Sequence, residues 1–250
     1  MFFIVCTKTS KTRLTDSGPS GTLFDRQYSY NVANQISQIT EPSQTRIFGY
    51  DNVDRLRTVS NGGSGESYLY DLVGNRTSSH RSSTYSYQPF NKISSTQTAT
   101  YGSDANGNMT TKGEGSDFWR YTWDYENRLN SASTRKQTVR YTYDALGRRV
   151  RWHFAGSKEN TKFTYDGDGQ DVILDDDAGV LTKYQNGRGI DNKLRTQTGT
   201  SVNYFLADHL GITNWLTNAS GIVTASNSND SFRNPTNLVA PRGVEPLFQG

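Results

Sequence analysis

The sequence predicts an all-β fold of tandem antiparallel β-hairpins. Three observations carry this prediction. An aromatic-x-aromatic pair followed by a polar anchor residue recurs seven times, and an eighth copy keeps the first ring and the anchor. Residues that tolerate tight turns stand at a fixed offset behind each anchor. No helical 3.6-residue pattern persists for a usable length. Composition agrees: hydrophobic residues make up only 32%, yet the chain holds 15 Tyr, 11 Phe and 4 Trp. Disordered chains are poor in aromatics, and Tyr suits a surface that is apolar on its ring and polar at its tip.

The elements follow in chain order. Residues 1–27 form an N-terminal segment in which Leu23-Phe24-Asp25 reads as part of a degenerate strand pair. Eight repeats fill 28–173, with anchors at Asn31, Asp51, Asp71, Gln88, Asp104, Asp124, Asp144 and Asp166. Successive anchors are 20, 20, 17, 16, 20, 20 and 22 residues apart, a period of about 19, within the range of repeat architectures. Three before the anchor every copy is aromatic, and one before it all are except Ser103. Residues two apart on a strand share a face, so each copy sets two rings on one side of a sheet. Asp and Asn suit the first position of a type I turn.

Three after the anchor stand Asn34, Asp54, Gly74, Asn91, Gly107, Asn127, Gly147 and Gly169. These residue types tolerate positive φ. A type I turn closed by a left-handed residue is a common three-residue hairpin connection. Alternation then resumes at Ile36, Leu56, Ile93, Met109 and Leu129, as a return strand requires. Each repeat therefore reads as one hairpin plus a looser link rich in Ser, Thr, Gly and Asn. The ring columns read as cross-strand aromatic pairs that fix register.

The pattern Tyr141-Thr142-Tyr143-Asp144-Ala145-Leu146-Gly147-Arg148 resembles the YD repeat of the RHS (rearrangement hot spot) family. Asp104-Ala105-Asn106-Gly107-Asn108 is similar to a common family variant. Tyr204-Phe205-Leu206-Ala207-Asp208-His209-Leu210-Gly211 resembles the family's Asp-His-Leu-Gly block, and Leu216 to Val223 resembles the hairpin that follows it. The resemblance implies a curved, spiralling sheet, and residues 174–237 as the end of the RHS core with its Asp-His-Leu-Gly hairpins. Eight repeats imply an open fragment rather than a closed shell. In bacterial polymorphic toxins and Tc toxins the family shell encloses a C-terminal toxin, and teneurins carry a related shell at the animal cell surface. The resemblance thus implies a non-enzymatic structural segment, secreted or at the cell surface, whose partner is a C-terminal toxin or effector cargo in the parent. The alternative it leaves open is an extracellular adhesion or carbohydrate-binding module, with a glycan on the Tyr rows. The family's self-cleaving segment is not matched, so no autoproteolysis is expected. Residues 238–250 resemble protease-cleavage linkers and read as a tag-like tail.

Other function classes recede. No apolar run approaches the roughly 18–20 residues of a membrane span, and the start Met1 to Cys6 is too short for a signal-peptide apolar region. A net charge of +3 with basic residues standing singly argues against nucleic acid. No catalytic, cofactor-binding or metal residues are assigned, and no cofactor is expected. Four features were weighed as chemistry. Asp166, Asp168, Gln170 and Asp177 have calcium-loop spacing but lack its glycine, which favours a solvated turn. Asp175-Asp176-Asp177 reads as a charged turn. Asp208-His209 reads as a hydrogen-bonded structural pair, since acid–base work needs a shared pocket. Cys6, the single cysteine, has no partner in sequence. Open strand edges predict self-association.

Overall fold

Alternating rings and small polar residues make strands that bury one face, and the turn residues make those strands double back. The computed structural model describes residues 13–18, 21–63, 65–157, 160–189, 192–208 and 210–238. Among them the chain forms β1 (Arg13–Gly18), β2 (Gly21–Tyr30), β3 (Ile36–Glu41), β4 (Gln44–Tyr50), β5 (Leu56–Ser60), β6 (Glu66–Tyr70) and β7 (Arg76–Ser79). Then come β8 (Tyr85–Gln88), β9 (Lys92–Thr96), β10 (Ala99–Ser103), β11 (Met109–Glu114), β12 (Asp117–Trp123), β13 (Leu129–Ser133), β14 (Thr138–Tyr143) and β15 (Arg149–Phe154). The last are β16 (Asn160–Tyr165), β17 (Val172–Asp177), β18 (Val180–Asn186), β19 (Lys193–Thr198), β20 (Ser201–Ala207), β21 (Thr213–Asn218), β22 (Val223–Asn229) and β23 (Pro235–Leu238).

The fold is all-β. The strands order as two antiparallel sheets, β1 to β7 and β8 to β23, in which each strand pairs with its neighbours in sequence and neither sheet closes into a barrel. The expected strand pair within 1–27 is present as β1 on β2, with Arg13 opposite Gln27. Cys6, His209 and residues 239–250 lie outside the described residues.

The links between repeats are tighter than the sequence suggested. Glu114 pairs with Asp117 across Gly115-Ser116, and Asp177 with Val180 across Ala178-Gly179. Ala178 and Gly179 both have positive φ, 51° and 96°, the pairing of a two-residue hairpin whose twist matches its strands. Asp175 to Asp177 are therefore strand residues, not the charged turn read from sequence. Asp175 is buried and accepts the Tyr184 hydroxyl at 2.5 Å. Burial, with Asp175 beside it, pushes the Tyr184 phenol far up.

The chain divides into two compact units. One contains residues 1–68, 192–196 and 201–250. Its core gathers Tyr28, Ile36 and Ile39, with Leu14, Tyr30 and Phe48 against them. Within this unit, distant parts of the sequence meet. Tyr68, 1% exposed, packs edge-on against Phe232 at 4.6 Å. The Glu66 carboxylate accepts the Tyr68 hydroxyl at 2.6 Å and the Ser231 N–H at 3.1 Å. Arg26 is paired with Glu41, lies 3.8 Å from Asp208 and covers the Trp215 ring at 5.0 Å. The second unit, residues 69–191 and 197–200, holds the repeats anchored at Asp71 to Asp166.

Candidate functional site

The repeat turn is the unit from which any function must be built. At Asn31, Asp51, Asp71, Asp104, Asp124 and Asp144 the anchor N–H donates to the carbonyl four residues on, at 2.9–3.0 Å. The N–H three residues on returns to the anchor carbonyl at 3.0–3.2 Å. The anchor side chain supplies what the backbone lacks. At Asp144, Oδ1 accepts the N–H groups of Leu146 and Arg148, and Oδ2 accepts Arg148 Nε at 2.7 Å. Asp51 with Arg55 and Asp124 with Arg128 repeat that geometry. Burial pushes these carboxyls up, but the N–H and guanidinium bonds from the residue four on outweigh it and hold them below the ordinary range.

The left-handed residue falls where the sequence placed it in seven copies, from Asn34 (59°) to Gly147 (79°). The register then slips by one residue just before the anchor, as at Ser29/Tyr30 and Thr142/Tyr143. A left-handed residue with a bulge is the expected closure of this loop. Gly169 is the exception. The Asp166 N–H reaches Asp171, one residue further, and Gly167 takes the positive φ instead. Gly169 is glycine for another reason: a Cβ there would meet the Asp166 carbonyl oxygen at 2.8 Å. The Gln88 copy also differs, forming a short 3-10 turn over Pro89–Asn91 with Phe90 and Asn91 both left-handed. Gln88 makes no side-chain cap there, and Pro89 has no N–H to give.

In five copies the ring just before the anchor joins one hairpin to the one before it, Tyr87 reaching the Arg76 carbonyl at 2.8 Å. Tyr50 donates to the Ile36 carbonyl at 2.8 Å, Trp123 Nε1 to Met109 at 2.8 Å, Tyr143 to Leu129 at 2.9 Å and Tyr165 to Arg149 at 2.7 Å. Each of these last four acceptors lies two residues before the first paired residue of its inter-hairpin ladder, such as Ser131 opposite Arg140 for Leu129. Neighbouring hairpins thus part near the anchor turns, the ring fills the gap, and its polar tip satisfies a carbonyl that no strand reaches. Arg128 and Arg148 then lie over the next rings, Tyr143 at 5.1 Å and Tyr165 at 4.8 Å. The Tyr column is built into the sheet, but mostly not as the cross-strand aromatic pairs read from sequence: Ile39, Val59 and Ala132 stand opposite Tyr28, Phe48 and Tyr121, and the rings hold the hairpins through carbonyls and arginines instead.

The residues weighed as chemistry are not brought together. Asp177 sits at the end of β17, accepting the Thr161 hydroxyl at 2.8 Å. The Asp166 loop turns its Gly167 and Gly169 carbonyls onto Arg148. Among the described residues no group of three or more His, Cys, Asp or Glu is placed to hold a metal. Asp208 closes a turn with the N–H groups of Leu210 and Ile212 and faces Arg26. That turn, and those at Asn218 and Asp230, have the same bonds as the repeats. The eight-copy pattern does not include them because Ala207, Thr217 and Asn229 stand where the ring should be, although the family resemblance marks the first two as hairpins. The surviving signal was the anchor with Gly211 or Gly221 three residues on. A shallow groove of about 580 Å³ lies by Thr98, Gly113 and Phe118. No helix among the described residues is long and apolar enough to cross a membrane.

Comparison with known proteins accords with this geometry. A protein of Bacillus spizizenii, tRNA3(Ser)-specific nuclease WapA, is 28% identical over 190 residues, covering 71% of this chain and 8% of its own length. The tRNA nuclease WapA of Bacillus subtilis is 30% identical over 121 residues, covering 44% of this chain and 5% of its own length. The chain therefore spans a small part of the curated relatives it matches. Among solved structures, that of TcdB2-TccC3-Cdc42 superposes with a TM-score of 0.46 at 12% identity, covering 88% of this chain and 16% of that one. The Teneurin YD-shell family matches residues 14–177, the stretch in which ring, anchor and left-handed residue recur, and the chain belongs to that family of RHS/YD-repeat shell proteins.

Proposed function

We propose that this chain is a non-enzymatic wall segment which, in its parent protein, encloses or presents a C-terminal toxin or effector. The observation that carries the reading is the ring latch. In five repeats a ring satisfies the carbonyl left open by the hairpin before it, so a wall can be lengthened hairpin by hairpin without a new fold. The recurring chemistry of the anchor turn is spent on architecture: carboxylate on backbone N–H, arginine on carboxylate and ring. The nuclease names of the similar Bacillus proteins, of which this chain matches only a small part, support a cargo lying elsewhere in the parent. On this reading 28–173 are the repeat wall, 174–237 its terminal hairpins, 1–27 its leading strand pair and 238–250 a linker-like tail. The parent acts outside the cell that makes it.

Limited proteolysis of the full-length parent tests this. The region after the shell is expected to resist protease until the shell is opened by urea. Equal cleavage of that region with and without the intact shell sinks the proposal. Binding of this chain to a glycan array, with no cargo region in the parent, would favour the adhesive module instead.

A further inference from the structure

The anchor turns of the second unit lie along one rim of its meander, and that rim is unusually apolar at its tips. In the second unit Leu72 (104% exposed), Val73 (65%), Phe90 (92%), Tyr125 (90%) and Leu146 (60%) occupy the first or second position after an anchor. Val32 and Val53 hold the equivalent positions in the first unit, at 107% and 63%. Single exposed apolar residues are ordinary; a periodic row of them is not. The other rim shows the contrast. Its turns over the same stretch, at Gln97-Thr98, Gly115-Ser116 and Thr134 to Gln137, carry no large apolar residue.

The row is held in place. Asn75 donates to Asn91 at 3.0 Å, Lys92 reaches the Asp104 carbonyl at 3.5 Å and Asn108 donates to Asn127 at 2.8 Å. Arg128 covers Tyr143. Consecutive tips therefore stand side by side, about 10 Å or more apart, two strand spacings being the lower limit, with little freedom left to lose on binding.

The order of the tips is self-complementary. Along the rim the first five of the six anchor turns of this unit read aliphatic (Leu72, Val73), aromatic (Phe90), small (Ala105), aromatic (Tyr125), aliphatic (Leu146), and the sixth, Gly167-Asp168, is polar and ends the apolar row. A two-fold axis through the Asp104 turn would set Phe90 against Tyr125, and Leu72 against Leu146, of a second copy. It would also set Lys92 against Glu126, and Asp71 against Arg148. An isologous contact demands this property, that one patch complements itself. If wholly covered, the exposed tips would contribute an area on the order of 800 Å² per copy, the share of each partner in a standard-size interface. We infer that this rim is a docking surface for a second copy of the same strip, joined about a two-fold axis at the Asp104 turn. This differs from pairing at open strand edges, because the contact is made by turn tips.

Light scattering and sedimentation of the full chain across concentration test the rim. A dimer is expected, and Phe90→Asn or Tyr125→Ser should weaken it tenfold or more with an unchanged far-UV spectrum. Asn suits the left-handed backbone at position 90, where φ is 67°. Lys92→Glu should weaken the dimer, and adding Glu126→Lys should restore it. In a Cys6→Ser background, Ala105→Cys should form a disulfide dimer on mild oxidation. Ala145→Cys should not, because two turns from the axis its sulfurs lie about 40 Å apart. Three results would overturn the inference: a monomer at every concentration, efficient cross-linking at 145 but not 105, or a dimer abolished by Thr15→Pro in the edge strand β1 yet indifferent to the rim variants.

Discussion

Replacing Tyr143 with Phe removes one oxygen and nothing else. The ring remains in the gap between hairpins and beneath Arg128, 5.1 Å from its guanidinium. What is lost is the 2.9 Å bond to the Leu129 carbonyl. That carbonyl lies beyond the last pair of the β13–β14 ladder, Ser131 with Arg140, so no strand takes over. A net bond of this kind contributes about 0.5–1.5 kcal/mol, and a carbonyl left dry costs up to about 3. Because the hydroxyl is only half-buried, water can reach part of the site, and the expected cost is about 1–1.5 kcal/mol. Urea unfolding should show a lower midpoint with an unchanged slope. Hydrogen exchange should accelerate first in β13 and β14. Tyr125→Phe is the control: its hydroxyl stands in solvent, and its change should stay within about 0.5 kcal/mol. If Tyr143→Phe is as silent as the control, the ring is only a spacer and the latch has no energetic role.

Other perturbations follow from the same contacts. Arg26→Gln strands Glu41 in a site where both side chains are only 10% exposed, so a loss of about 3–5 kcal/mol is expected in chemical denaturation; a change below that of a surface residue would contradict it. Gly147→Ala forces a side chain onto a φ of 79° and should cost about 1 kcal/mol, whereas Asn127→Gly eases a φ of 59° but removes the acceptor of Asn108 and should cost about 0.5–1.5 kcal/mol. Burial raises the phenols of Tyr28, Tyr121, Tyr143 and Tyr165 above 10.0. The unfolded chain then releases its protons first, so stability is full below pH 10 and falls as pH rises through the raised folded values. Urea midpoints at pH 9 and pH 11 measure this, and equal midpoints would count against it.

Much of the fold could be read from the sequence because each turn is a local event. Asp144 caps backbone groups only two and four residues away, and Gly147 adopts its φ within the same loop. Such features write themselves as short motifs. The failures were local too, where a copy departed from the rule. One extra residue in the Asp166 loop moved the positive φ from Gly169 to Gly167. The missing rings before Asp208, Asn218 and Asp230 kept three turns built on the same bonds out of the repeat count, and only the family resemblance marked the first two as hairpins. The Asp175 to Asp177 run looked like a turn from its charge, yet Asp175 is buried under Tyr184, a contact that charge counting cannot supply.

By itself the sequence determined the hairpin, its register and its repetition, because the interactions that set them span fewer than about six residues. Only the tertiary structure decided what the rings are for and where distant segments meet. The acceptor of the Tyr143 hydroxyl lies 14 residues back, and Glu66 meets Ser231 165 residues on. No motif encodes such partners, since the choice among many equally polar carbonyls and N–H groups is made by packing. The rim is an intermediate case. Its apolar tips are visible in the sequence, but that they stand in solvent, in one row, on cross-linked turns, follows only from the strand order.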